Sequence, residues 1–338
     1  MTGVSEAVRA WVGAEAIGLL ERHRVPGLSV GLCDRTGPLW SAGYGTTARE
    51  DGASVSTTTI FSLQSASKMY TATAVLCAVR DGLVDLDVPL TTYLPAFTVN
   101  SLWESTPEAR MTLRHLLSHR AGFIHEAPRG SNYDDSDVSF EDHCASISET
   151  TLEFPVGDRY SYSNLGIDLA ALVLQRVSRL DFATYIDQVL LEPLGLNRTT
   201  FDLDRIMSDP DRAIGHTDST PPPLRVPMLG AGGGYASVDD ALRYVAFHLI
   251  CSDHLSRGRV RRRRDGFSAA PHFMVLLIMV CCVFATLGQT DMRGLVTAGR
   301  AVRLERIAGL ASGVTGTAIA VLAAHRCFAG RSSRGGSP

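Results

Sequence analysis

Ser65 and Lys68 stand three residues apart in Phe61-Ser62-Leu63-Gln64-Ser65-Ala66-Ser67-Lys68-Met69-Tyr70. A serine hydroxyl is a weak nucleophile and gains reactivity from an adjacent base or cation. On a helix, positions i and i+3 share a face, so the Lys68 side chain can reach the Ser65 hydroxyl. A lysine whose pKa is lowered by burial can take up a proton and return it, whereas an arginine is too basic to do so. Composition sharpens the point. Of the 32 Lys plus Arg in the chain, Lys68 is the one lysine. A chain that writes arginine at every other basic position keeps its lysine in this tetrapeptide. Ser-x-x-Lys alone is a common spacing whose bland reading is chance, so its context decides.

The other residues that could carry chemistry are weaker. His115 and His119 have the i, i+4 spacing of helical metal ligands, but no glutamate follows the first histidine as in His-Glu-x-x-His, and Leu116-Leu117 point to a buried helix. His125-Glu126 and His143-Cys144 read as isolated pairs in a loop. Gly230-Ala231-Gly232-Gly233-Gly234 lacks the Gly-Lys-Ser/Thr of a phosphate loop. The Arg261–Arg264 cluster is unaccompanied by a DNA-binding motif, so no nucleic-acid partner is expected. No metal and no cofactor are implied.

Elements around these residues must position them. The periodicity predicts an amphipathic helix over 5–24, with Val8, Trp11, Val12, Ala16, Leu19 and Leu20 on one side. Residues 28–33 and 38–45 read as a β-hairpin turning at Asp34-Arg35-Thr36-Gly37. The apolar run after Ser65 predicts a helix capped near Gly82. A short helix over 111–119 starts near Thr112, and residues 125–150 read as a surface loop. Helices follow over 167–177 and about 181–193. Pro221-Pro222-Pro223 reads as a stiff linker, and Ser237 caps a helix starting at Val238. Strands at one end and helices in the middle give an α/β layered domain with an inserted helical region.

The chain of 338 residues, 45% hydrophobic and 20% charged, has the balance of a globular protein of one large domain or two. Its net charge of −3 conceals a division. Residues 1–250 hold 19 basic against 31 acidic residues (−12), and residues 251–338 hold 13 against 4 (+9). Seven cysteines show no Cys-x-x-Cys pair and read as free thiols. The N-terminus has no basic segment followed by an apolar one, so no secretion signal is visible and a cytoplasmic location is expected.

Six segments together resemble the class C β-lactamase-like serine hydrolases of the serine β-lactamase and penicillin-binding protein superfamily. They are Val25-Pro26-Gly27-Leu28-Ser29-Val30, residues 61–68, Leu113-Arg114-His115-Leu116-Leu117-Ser118-His119, residues 160–166, Glu192-Pro193-Leu194-Gly195-Leu196 and residues 232–242. They occur in the family's order. The resemblance implies a β-lactamase/transpeptidase-like fold, an antiparallel sheet flanked by helices. It implies Ser65 as the acylated nucleophile, Lys68 as its proton shuttle, and Tyr162, on the family's Tyr-x-Asn motif, as a base in acylation and an acid toward the leaving group. A phenol beside a lysine ammonium is independently a credible general base. The bland reading of Tyr162 is a core aromatic whose hydroxyl caps a turn. The Asn164 amide would hold the substrate and Lys68, and Gln64 would bind substrate. Ser67 and Tyr160 read as structural neighbours. One oxyanion-hole N–H would come from Ser65, and the family takes the other from a later strand carrying Lys-Thr-Gly or His-x-Gly.

That third motif is absent from residues 251–338, where Ser312-Gly313-Val314-Thr315-Gly316 keeps only a Thr-Gly. The sheet's usual C-terminal strands therefore read as missing or replaced. The organisation expected is a hydrolase domain over 1–250, an Arg-rich linker over 251–266 and an apolar tail over 267–338. Apolar runs over 273–287 and 307–324 would make a membrane hairpin, borderline in length for spanning. The competing account is a reading frame lost near residue 250, which explains the lost acids, the arginines and the missing motif together. The function expected is a metal-independent serine hydrolase forming an acyl-enzyme at Ser65 on a small amide or ester: a β-lactam, a D-alanyl peptide or a simple ester. The alternative is a catalytically impaired relative, membrane-attached if the tail is genuine. A metallohydrolase built on His115 and His119 is a distant third.

Overall fold

Glycine and alternation shape the first sheet. In the computed structural model, which describes residues 4–23, 25–131, 137–215, 227–256 and 317–323, helix α1 (Glu6–His23) leads into the antiparallel hairpin β1 (Gly27–Asp34) and β2 (Gly37–Gly45). Leu28 and Val30 turn to one face, where they pack with Val12 and Ala16 of α1. Cys33, beyond a bulge after Leu32, turns to the other face and packs with Val238, Leu242 and Val245. These three belong to helix α9 (Val238–Ser256), which closes the layer. Gly31 makes the approach of that helix possible, since a Cβ there would lie 2.5 Å from Leu242 Cδ1. The layers are thus helix, sheet, helix, as the α/β reading expects.

The helical region follows the short strand β3 (Phe61–Ser62) and a 3₁₀ turn over Gln64–Ala66. Helix α2 (Ser67–Arg80) is buried on nearly every side of its first eight positions, Ser67 to Ala74, and Ala72, Ala74 and Ala78 are small enough to admit close neighbours. Helices α3 (Leu113–Leu117), α4 (Phe140–Ser146), α5 (Asn164–Ser178) and α6 (Phe182–Ile186) share one hydrophobic core with it, the last continuing as a wide π-helical turn over Asp187–Leu191. Then come β4 (Thr199–Thr200), α7 (Leu203–Ser208), α8 (Leu229–Gly232) and β5 (Tyr235–Ala236), before α9. Strands β3, β5 and β4 form a second small antiparallel sheet. Tyr70 of α2 stacks on Tyr244 of α9 at 3.9 Å between ring centres, tying the helical core to the layer that covers the first sheet.

Local rules account for the ends. Thr112 accepts from the His115 N–H, Ser163 from Leu165 N–H and Ser237 from Asp240 N–H, each capping the helix that follows. Gly82, at φ +73°, sits just past the end of α2 as expected.

Three expectations need correction. Val8 and Trp11 are exposed, at 41% and 57%, because the stripe facing the sheet is Val12, Ala16 and Leu19 at i, i+4 and i+7. Residues 125–150 are not simply a surface loop. They contain α4, whose Phe140, His143 and Cys144 share one buried face. Ser139 opens that helix by accepting from the Asp142 N–H at 3.0 Å and donating to its carboxylate at 2.8 Å. The Ser-x-x-Asp spacing was the signal for it. Finally, part of the second apolar run, read as an arm of a membrane hairpin, is a sheet strand: β6 (Thr317–Ala323) pairs parallel with β1.

No helix among the described residues is long and apolar enough to cross a membrane. Helix α9 runs through residue 250, where the composition changes, without a break. The Pro221-Pro222-Pro223 linker, the Arg261–Arg264 cluster, the apolar run over 273–287 and Ser312-Gly313-Val314-Thr315-Gly316 lie outside the described residues.

Gly45 ends the hairpin at φ +75°, and a Cβ there would lie 2.1 Å from the Pro26 carbonyl oxygen. Gly45→Ala is expected to lower the unfolding free energy by at least about 1–2 kcal/mol from backbone conformation alone. Chemical denaturation measures it, and an unchanged midpoint would contradict the hairpin geometry.

Candidate active site

The turn that presents Ser65 is clamped to the glycine-rich segment. The Leu63 N–H donates to the Gly234 carbonyl at 2.8 Å, and the Gly234 N–H donates to Ser67 Oγ at 3.0 Å. A Cβ at Gly234 would come within 3.0 Å of that same Oγ and 2.8 Å of Phe201, so this contact requires glycine. Gln64 adopts φ +46°, an uncommon backbone for a non-glycine residue, and its amide donates to Ser62 Oγ at 2.9 Å. Ser65 lies on the 3₁₀ turn rather than in the helix proper, two residues before α2 begins. The helix N-terminus nearby favours developing negative charge.

Lys68 is on the first turn of α2 and is fully buried. Its Nζ donates to Ser65 Oγ at 3.2 Å and to the Ala231 carbonyl of α8 at 2.7 Å. Tyr162, from the segment before α5, donates its hydroxyl to the same Ser65 Oγ at 2.9 Å. The Lys68 Nζ lies 5.1 Å from the centre of the Tyr162 ring. Two residues 97 and three positions away in sequence thus converge on one oxygen. For that oxygen to attack a carbonyl, one of the two must first have given up a proton so that it can receive the serine's.

Asn164 is the first residue of α5 and is 3% exposed. Its amide nitrogen donates to Glu126 Oε1 at 2.7 Å, and its Oδ1 is buried with no hydrogen-bond partner among the described residues. Burial raises the Glu126 pKa, with the Asn164 hydrogen bond and the Lys68 charge pulling the other way. The five residues singled out from sequence are therefore in one region: Ser65, Lys68 and Tyr162 in direct contact, Gln64 adjacent in the chain, and Asn164 two residues beyond Tyr162.

The sequence reading missed His119. It is not on the helix with His115, because α3 ends at Leu117 and His119 adopts φ +56°. The i, i+4 metal pair therefore does not form. His115 instead bonds Thr112 within its own turn. His119 lies against the Tyr162 ring at 4.6 Å, and its Nδ1 accepts from the Ser163 N–H at 3.2 Å. An accepting Nδ1 leaves the proton on Nε2 and the ring neutral. Burial first, and then the Lys68 charge, push its pKa down to about 3. The site thus keeps a neutral aromatic platform under Tyr162 and adds no second cation beside Lys68. His125 and Glu126, read as an isolated loop pair, also belong here: the His125 ring is 5.5 Å from Tyr162. Tyr160 is exposed, and its ring meets that of His119 edge-on.

A histidine whose folded pKa is below its unfolded value binds fewer protons when folded. Its contribution is fully present above pH 6.5 and is lost as pH falls toward about 3. His119→Asn keeps an acceptor for Ser163 and tolerates the left-handed backbone. Over that window the wild type should lose up to about 1.4 kcal/mol of stability per pH unit relative to the variant. Denaturation midpoints at stepped pH would show it, and parallel pH slopes for the two proteins would contradict a neutral buried His119.

The chain is similar in sequence and fold to known proteins. The family model described as Beta-lactamase matches residues 14–274. The chain is 27% identical over 265 residues to Esterase EstB of Burkholderia gladioli, and 26% identical over 197 residues to Protein flp of Staphylococcus aureus (strain MW2). The matches span 66% and 58% of this chain, and 66% and 39% of those relatives. Among solved structures, the octameric penicillin-binding protein homologue from Pyrococcus abyssi superposes with a TM-score of 0.61 at 24% identity, over 71% of this chain and 56% of that one. D-alanine carboxypeptidase AmpC from Burkholderia cenocepacia gives 0.60 at 21% identity, over 80% and 68%. The fold is the β-lactamase/transpeptidase-like α/β fold, and the chain belongs to the β-lactamase family.

Proposed function

We propose that the protein is a serine hydrolase that forms an acyl-enzyme at Ser65 on a small amide or ester substrate. One observation carries this reading: Ser65 Oγ receives hydrogen bonds from both the buried Lys68 amine and the Tyr162 hydroxyl. In the proposed reaction Ser65 Oγ bonds to the substrate carbonyl carbon, and its proton passes to whichever of Lys68 and Tyr162 is deprotonated. The carbonyl becomes an oxyanion facing the Ser65 N–H on the 3₁₀ turn that precedes α2. The bond to the leaving amine or alcohol breaks as Tyr162 or Lys68 returns the proton. Water then attacks the ester by the same route in reverse. The unpartnered Asn164 Oδ1 supplies an acceptor for a substrate N–H, with Gln64 beside the nucleophile.

An esterase, a penicillin-binding protein homologue and a D-alanine carboxypeptidase among the similar proteins support a substrate range of simple esters, D-alanyl peptides and β-lactams. The second reading is an impaired hydrolase, favoured by the absence of Lys-Thr-Gly and His-x-Gly from residues 251–338. Loss of one oxyanion donor costs on the order of 100- to 1,000-fold in rate.

A fluorophosphonate probe should label the wild type and leave Ser65→Ala unlabelled, and equal labelling of both would refute the proposal. Tyr162→Phe should slow ester hydrolysis by about 10²–10⁴-fold. Labelling at Ser65 with turnover of esters and β-lactams barely above background would select the impaired reading.

A further inference from the structure

The Lys68 amine is held by the Ala231 carbonyl, so whatever fixes Ala231 fixes the amine. Three contacts converge on residues 230–231. The Thr71 hydroxyl, one turn along α2 from Lys68, donates to the Gly230 carbonyl at 2.7 Å. The Ala231 N–H donates to Asp168 Oδ1 of α5 at 2.9 Å. The Ala231 carbonyl accepts from Lys68 at 2.7 Å. Gly230 has no room for a side chain, since a Cβ there would meet Ala171 Cβ at 2.7 Å and Asp168 Oδ1 at 3.3 Å.

Asp168 is itself fixed from behind. Its second oxygen, Oδ2, faces His143 Nε2 of α4 at 3.1 Å, and both side chains are fully buried. The other ring nitrogen of His143, Nδ1, faces the Arg129 carbonyl at 2.8 Å. A carbonyl only accepts, so Nδ1 carries a proton and donates. A second proton is then shared between Nε2 and the carboxylate, and the geometry of an imidazolium on a carboxylate satisfies every atom. Burial pulls the His143 pKa down, but the Asp168 hydrogen bond and charge and the Arg129 carbonyl more than offset it, leaving a net upward shift. An aspartate buried without such a partner would be strongly destabilising.

We infer that His143 and Asp168 are positioning residues for Lys68: the buried pair anchors the Ala231 peptide, and that peptide sets the Lys68 amine on Ser65. The inference rests on the catalytic reading of Lys68 for its consequence, but not for its geometry. The chain runs from Arg129 and His143 through Asp168 and Ala231 to Lys68 and Ser65, and joins α4, α5, α8 and α2. It gives a role to two buried titratable groups that the acylation chemistry itself does not use.

Lys68 being the sole lysine makes the test direct. Protein grown with ¹³Cε-lysine has one lysine signal, and its position reports the surroundings of the Lys68 amine whether or not Ser65 reacts. Asp168→Asn keeps an acceptor for the Ala231 N–H and offers an N–H to a neutral His143 Nε2, so it should leave the signal in place and the rate of Ser65 labelling within about threefold of wild type. Asp168→Ala removes the anchor. It should move the signal and slow labelling at least about tenfold, with the loss in kcat rather than KM and a displaced pH profile. Should Asp168→Ala not fold, Asp168→Leu removes the same acceptor from the Ala231 N–H while conserving volume and should move the signal in the same way. An unmoved lysine signal in folded Asp168→Ala, or in Asp168→Leu where the first does not fold, overturns the inference. So does a folded Asp168→Asn as impaired as Asp168→Ala. A wild type that never labels at Ser65 refutes the hydrolase reading alone, because the lysine signal still decides the positioning role.

Discussion

A lysine amine with no solvent exposure has to find oxygen acceptors, and the placement of those acceptors organises much of this molecule. The Ala231 carbonyl and Ser65 Oγ meet that need, at 2.7 and 3.2 Å. Removing either would leave a buried donor unsatisfied, a penalty of about 1–3 kcal/mol and more if the amine is charged. The constraint works in both directions. The fold must deliver a carbonyl from α8 to the first turn of α2, and once it does, the amine has little choice but to lie against the serine.

The elements serve this meeting in recognisable ways. Helix α2 is buried over most of its surface, which its run of Ala and Thr residues permits. Helix α5 begins at Asn164 because Ser163 caps it, and the same serine donates to the Ile124 carbonyl at 2.6 Å, so the start of α5 is tied to the segment carrying His125 and Glu126. Tyr162, just before that cap, is thereby held against His119 and aimed at Ser65. Glycines at 230 and 234 let the glycine-rich segment approach α5 and the Ser65 turn closely enough for backbone groups to do the holding. The first sheet, with α1 and α9 on its two faces, carries none of these side chains. It contributes through α9, whose Tyr244 stacks on Tyr70 of α2.

Much of this was legible in the sequence because it depends on local spacing. Ser65 and Lys68 lie within one turn, and the hairpin and helix caps follow from alternation, glycine and hydroxyl residues, whereas Tyr162 and Asn164 stand out through the resemblance to the family's Tyr-x-Asn motif. What was not legible depends on long-range contact. Ala231 acts through its backbone, and no side chain marks that role. His143 looked like one residue of a polar loop, and only the pairing across 25 residues with Asp168 shows it to be a buried charge partner. His119 was read with His115 because four-residue spacing suggests a shared helix face, and a left-handed backbone at residue 119 separates them. The lone lysine was informative for a chemical reason, since arginine, the other long cationic side chain, is too basic to release a proton.

The central claim is that Ser65, Lys68 and Tyr162 act as one unit on one oxygen, and a double-mutant cycle tests it most directly. The second-order rate constant for fluorophosphonate acylation of Ser65 would be measured in wild type, Lys68→Ala, Tyr162→Phe and the double variant. Groups that share one proton-transfer step are strongly non-additive, so the double variant should be little slower than the slower single variant. Losses that simply multiply would mean that Lys68 and Tyr162 act independently, and would contradict the account.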